Sequence, residues 1–306
     1  MSVIFSFLRW CLNIPYTGEF AALATAACWT MTSLAFESAG KRVGSLQVNL
    51  IRLFMAFFFL ASLNYFFNGS FLPSGFPVSS WSWLLLSGIA GFLIGDLLLF
   101  QAFVVIGARI SMLIMTLVPV MTAILSFAIL GESLGGTAII GMAVTISAII
   151  YVVSGRKKGD DQPVSSYGIA LATGGAFGQA LGLVLSKLGM AEFSPVAATQ
   201  IRVIAGIIGF SILFTMLKRW HLIKKSLSDI SAVKRIATGA FFGPFLGVTL
   251  SLAAVQYTKA GIAATLMAIS PVLIIFPSKV LFKEKIKPRD VAGAAITVIG
   301  VAIMFL

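Results

Sequence analysis

An ionisable side chain inside an apolar run is expensive in lipid, which makes it a functional candidate by default. Asp96 is the sharpest case. It stands in the stretch GFLIGDLLLFQAF and is the one acidic residue of ten that lies clearly far from an expected loop. Facing a cavity, its carboxyl would carry a proton or contact a substrate amine. Held by a neighbouring hydroxyl or arginine, it would only fix packing. Arg52 and Arg202 occur in IRLFMA and IRVIAG, about six residues or roughly 9 Å inside their runs at 1.5 Å per residue. That depth lets a guanidinium snorkel to the interface. The same groups suit capping of carbonyls, pairing with a carboxylate, or anchoring an anionic part of a substrate. Trp29, Ser33 and Glu37 recur at i, i+4 and i+8 on one helix face. Together they would offer a zwitterion an aromatic platform, a hydroxyl and an acid, although Glu37 also suits a helix end. Gln101, Gln179, Gln200, Gln256 and Tyr257 are further candidates for lining a cavity.

Pro119 and Pro271 fall inside apolar runs, where proline removes a backbone hydrogen bond and kinks a helix. Thr116 and Ser270 stand close enough to satisfy the freed groups. The pair reads either as hinges for alternating access or as static kinks. Gly91/Gly95 and Gly243/Gly247 are each GxxxG, a spacing that lets helices approach closely.

The elements that carry these residues follow from composition. The chain has 306 residues, is 59% hydrophobic and only 10% charged, against roughly 25% for a soluble domain. Ten apolar runs, approximately 20–39, 46–67, 82–105, 110–130, 136–154, 168–188, 196–217, 236–256, 261–282 and 290–306, approach the ~20 residues that cross a hydrocarbon core. None alternates as a barrel strand does. The expected fold is an all-α membrane protein. Residues 1–16 read as an interfacial segment anchored by Arg9 and Trp10, and residues 155–166, GRKKGDDQPVSS, read as a linker near mid-chain.

The two sides of that linker match. At an offset of 150, Ile51-Arg52 falls on Ile201-Arg202. At 152, Gly91 and Gly95 fall on Gly243 and Gly247, Pro119-Val120 on Pro271-Val272, Glu132 on Glu284, and Asp96 on Val248. Five helices per copy, an odd number, put residues 17–154 and 167–306 into the membrane in opposite senses. Inverted repeats with a site near the midplane are a plan of secondary transporters. Inversion also separates Glu37 from its counterpart Lys187, so that ion pair is rejected.

Other chemistries find little support. The single histidine, His221, lies in a charged loop and two cysteines make no metal-binding spacing, so no nucleophile–base pair, metal or cofactor site is legible. The Walker GxxxxGK[ST] is missing from the sequence, as are the polar rings of a channel. The net charge of +12 sits between apolar runs rather than in a basic face, which argues against nucleic acid.

Several stretches resemble the drug/metabolite transporter superfamily, in its ten-helix form with two EamA domains. They are ACWTMTSLAFESAG, IRLFMA and IRVIAG, and the Pro then Gly-Glu then Gly order of GARISMLIMTLVPVMTAILSFAILGESLGGTAIIGMAV. The second copy keeps Pro271, Glu284 and Gly293 but has Lys283 where Gly is usual. The resemblance implies ten helices around a central cavity and export of amino acids or other small metabolites across an inner membrane, not an enzyme. Flipping of a lipid-linked substrate and multidrug efflux are the alternatives. Protons are the candidate coupling ion, and monomer and homodimer are both open. Odd-numbered connections hold 17 Lys and Arg against three on the other side, a bias that places both termini outside the cytoplasm. Family members are commonly drawn with termini inside; the charge bias is the stronger ground.

Overall fold

The computed structural model describes residues 16–131, 133, 135–155, 165–190, 194–258, 263, 266–283, 286–304 and 306. Most of the interfacial segment and of the 155–166 linker lie outside the described residues, as do Glu132 and Glu284. The side chain of Gln256 is likewise not described.

The described residues are helical, with no strand among them. Helix α1 (Thr17–Val43) ends where Gly44, at φ 95°, turns its N–H back to the Gly40 carbonyl. Lys41 and Arg42 occupy its last turn, where the helix dipole favours cations. Helix α2 (Ser45–Asn68) follows directly. The third run starts after Pro77 as α3 (Val78–Gly88), widens into the π segment π1 (Ile89–Gly95), and continues as α4 (Asp96–Ile114). Then come α5 (Leu117–Leu130), α6 (Gly136–Ser154), α7 (Ser166–Met190) and α8 (Pro195–Met216). The short α9 (Trp220–Leu227) leads to α10 (Ile230–Ala240), the π segment π2 (Phe241–Gly247) and α11 (Val248–Tyr257). Helices α12 (Ser270–Leu273), α13 (Ile275–Phe282) and α14 (Pro288–Ile303) complete the chain.

Among the described residues six helical stretches are long and apolar enough to cross a membrane, the longest being Val78–Ile114, and two shorter apolar ones are Leu117–Leu130 and Ser270–Phe282. Large apolar side chains such as Phe58, Phe66, Ile212 and Ile299 point outward. Bare to water they would be a liability; against acyl chains they are solvated.

The sequence places a loop between residues 105 and 110. The structure has instead a break within one helical stretch at Gly107, with φ 78° and ψ 159°, a conformation open to glycine because it lacks Cβ. Arg109, counted among loop charges, therefore sits inside a helix and is buried against Asp290, Nη1 to Oδ2 3.3 Å. A second interruption at Met115–Thr116 separates α4 from α5.

Packing follows an exchange pattern. Helix α1 packs on α10, π2 and α11, while α7 packs on α3, π1 and α4; α2 lies against π2 and α8 against π1. The two π segments stand 152 residues apart, and each ends on a glycine, Gly95 and Gly247, with another four residues earlier, Gly91 and Gly243. The close approaches are steric. A Cβ on Gly178 would lie 2.6 Å from the Gly95 Cα, and one on Gly247 would lie 3.1 Å from Cδ1 of Trp29.

Candidate functional site

Asp96 opens α4 at the end of π1 and is 4% exposed. A π segment turns wide by one residue per turn, and such bulges recur at functional sites because they re-aim side chains. The Asp96 carboxylate is held from two directions. Arg52 Nη2 donates to Oδ2, and Gln179 Nε2 donates to Oδ1 at 2.6 Å. Asn49, one turn before Arg52, accepts from Arg52 Nε at 3.2 Å and donates to the Asp96 backbone carbonyl at 3.2 Å. The Arg52 guanidinium is wrapped by rings, with Phe100 at 4.4 Å, Phe36 at 5.6 Å and Phe92 at 5.7 Å.

Arg202 joins from α8. It is 4% exposed, its guanidinium lies 5.2 Å from Phe92, the ring that also faces Arg52, and it is near enough to act on the Asp96 charge. A methyl placed on Gly91 would lie 3.3 Å from Arg202 Nη2 and 3.6 Å from Gln179 Oε1, so both side chains flank that glycine. Residues from before the mid-chain linker (Asn49, Arg52, Asp96) and from after it (Gln179, Arg202) thus form one buried polar cluster. Neither arginine snorkels: both are turned into the protein rather than to an interface.

The remaining candidates are placed elsewhere. Glu37 is fully buried and busy: Oε1 pairs with Lys41 Nζ, and Oε2 accepts the Ala108 N–H at 2.8 Å. That N–H is freed by the break at Gly107, so Glu37 caps the restarted helix across a tertiary contact. Ser33 is buried and donates to its own helix at Thr30 O, 3.0 Å, while Trp29 is partly buried against π2. Gln101 accepts from Ser45 Oγ at 2.6 Å, and Gln200 donates to the Phe71 carbonyl at 2.7 Å. Tyr257 is 50% exposed at the end of α11, away from the cluster. Pro119 and Pro271 sit in the first turns of restarted helices. The carbonyl that each proline leaves without its i+4 partner is taken up: Val118 N–H bonds Met115 O at 2.9 Å, and Ser270 Oγ bonds Met267 O at 2.9 Å. Thr116 Oγ1 serves Leu113 O at 2.6 Å.

Asn49 and the Arg109–Asp290 pair escaped the sequence reading. Asn49 had a weak signal, a polar residue one turn from Arg52. Arg109 and Asp290 had none, since hydropathy assigns Arg109 to a loop and Asp290 to the very start of an apolar run. Among the described residues no cluster of His, Cys, Asp or Glu could hold a metal ion.

Fold and site define a multi-pass membrane protein with a duplicated helical plan. The model of the EamA-like transporter family matches residues 16–154 and again 166–306, and the chain belongs to that family, within the drug/metabolite transporter superfamily. An uncharacterised transporter of Archaeoglobus fulgidus is 24% identical over 287 residues, 93% of this chain and 96% of its own. An uncharacterised protein of Haemophilus influenzae is 31% identical over 103 residues, 34% of this chain and 75% of its own. A solved crystal structure shares the fold, with a TM-score of 0.65 at 17% identity over 95% of this chain and 96% of that one.

Proposed function

We propose that the protein is a secondary transporter that exports small metabolites such as amino acids across an inner membrane by alternating access. Ten spans, arranged as inverted five-helix repeats at residues 17–154 and 167–306, rock against one another, with Pro119 and Pro271 as hinges and both termini outside the cytoplasm. One observation carries this reading: the buried Arg52–Asp96–Gln179–Arg202 cluster joins the two halves. Any relative motion of the halves must remake it, so a solute or proton that binds there is coupled to that motion. Lacking a nucleotide motif, the chain draws its free energy from a solute or proton gradient.

The test is counterflow in proteoliposomes against a panel of amino acids and organic anions, with and without a pH gradient, for wild type and Asp96→Asn. Exchange of a panel solute supports transport, and loss of gradient dependence in Asp96→Asn assigns proton coupling to Asp96. No exchange of any solute, with flipping of a lipid-linked sugar instead, would replace metabolite export by the flippase reading.

A further inference from the structure

The charges in the cluster do not balance. Arg52 and Asp96 neutralise each other, and Gln179 fills the second carboxylate oxygen. Arg202 is left over. Its Nε is buried without a hydrogen-bond partner, and among the described residues no acid forms an ion pair with it. The internal match shows why: Arg202 corresponds to Arg52, but the position that corresponds to Asp96 holds Val248, at the start of α11 just as Asp96 starts α4. The duplicated scaffold thus has the cation in both copies and the anion in one. A net charge of +1 this deep is costly to desolvate until an anion pairs with it. The Phe92 ring face, 5.2 Å from the guanidinium, offsets only part of that cost.

We propose that Arg202 is the anchor for the anionic group of the transported solute, and that the site selects a monocarboxylate or similar monoanion rather than an amine. The guanidinium fork matches a carboxylate in a bidentate way. The solute's negative charge brings the cluster to neutrality. The Asp96 charge is already met by Arg52, so the unmatched group in the cluster is the Arg202 cation, which a solute ammonium would only oppose. The assignment rests on the transport reading for its consequence, but it is measured as binding.

The experiment is thermal unfolding of the purified protein in detergent, titrated with three solutes on one carbon skeleton: 4-methyl-2-oxopentanoate, leucine and 3-methylbutylamine. Acetate and benzoate serve as further carboxylates, and chloride at equal ionic strength is the control. We expect saturable stabilisation by at least one carboxylate, with the keto acid at least as effective as leucine, and none by the amine. Arg202→Met weakens the carboxylate response roughly tenfold or more, the size expected when one partner of a buried charge pair is removed, and Arg202→Lys retains part of it. Val248→Asp supplies the anion from within: its unfolding midpoint rises without added solute and the carboxylate response disappears, whereas Val248→Asn does neither. Stabilisation by the amine, no response to any carboxylate, or an undiminished response in Arg202→Met overturns the assignment. If counterflow of an amine or neutral solute is found alongside such a result, transport stands and the anion anchor falls. Carboxylate binding without flux of any solute gives the reverse.

Discussion

Asp96 and Arg52 depend on each other, and their exchange for apolar residues separates that dependence from the worth of the pair. Removing one partner of a buried ion pair leaves an uncompensated charge at a cost of about 3–5 kcal/mol, whereas replacing both with apolar groups is often near neutral. We therefore expect Asp96→Leu and Arg52→Met each to lower the unfolding midpoint strongly, and the double variant to be more stable than either. Thermal melts of the four proteins in detergent check this, and additive losses would mean the pair is not coupled. At this scale the sequence disclosed Asp96 and both arginines, because an ionisable group in an apolar run is conspicuous. It left Asp96 open between free and held, since pairing is a tertiary fact. Gln179 could not be separated from four other candidates, because a glutamine's partner sets its role and nothing in its local pattern names Asp96.

At the scale of elements, the break at Gly107 makes Glu37 a structural acid. Glu37→Ala strands the Ala108 N–H and unpairs Lys41; an unsatisfied buried donor costs about 1–3 kcal/mol. Glu37→Gln keeps an acceptor and should lose less, which the same melts resolve. Gly178→Leu should be more damaging than either, since even a Cβ there meets the Gly95 backbone at 2.6 Å. The helices themselves were legible from apolar runs. The π segments were not, because a residue added to a turn leaves hydropathy unchanged. Nor was the Gly107 break, since glycine inside apolar sequence serves as readily for packing as for a turn.

At the scale of the molecule, charged side chains tie the two halves together. Arg42 Nε pairs with Asp229, Arg235 Nη1 donates to Ser38 Oγ, and Arg109 pairs with Asp290 beside Pro271. The Arg42 guanidinium, and then the Ala232 N–H, hold the Asp229 carboxyl below its ordinary value. A carboxyl with a lowered folded-state pKa stabilises above its unfolded value, near 3.9, and loses that contribution as pH falls through the folded one. The gap in melting temperature between wild type and Asp229→Asn should accordingly shrink on acidification below about pH 4. A gap that widens there would contradict the pairing. The duplication was readable from Arg, Pro and Glu in register, but the ties were hidden, because each joins residues that the chain separates by more than 180 positions.

Alternating access requires these ties to part. In a chain with Cys11 and Cys28 replaced by serine, Arg42→Cys and Asp229→Cys can be bridged by a bifunctional thiosulfonate, and counterflow of the solute identified in the panel followed before and after reduction. Loss of counterflow on bridging, restored by reductant, is the expected result. Undiminished counterflow with the bridge fully formed would contradict movement of one half against the other.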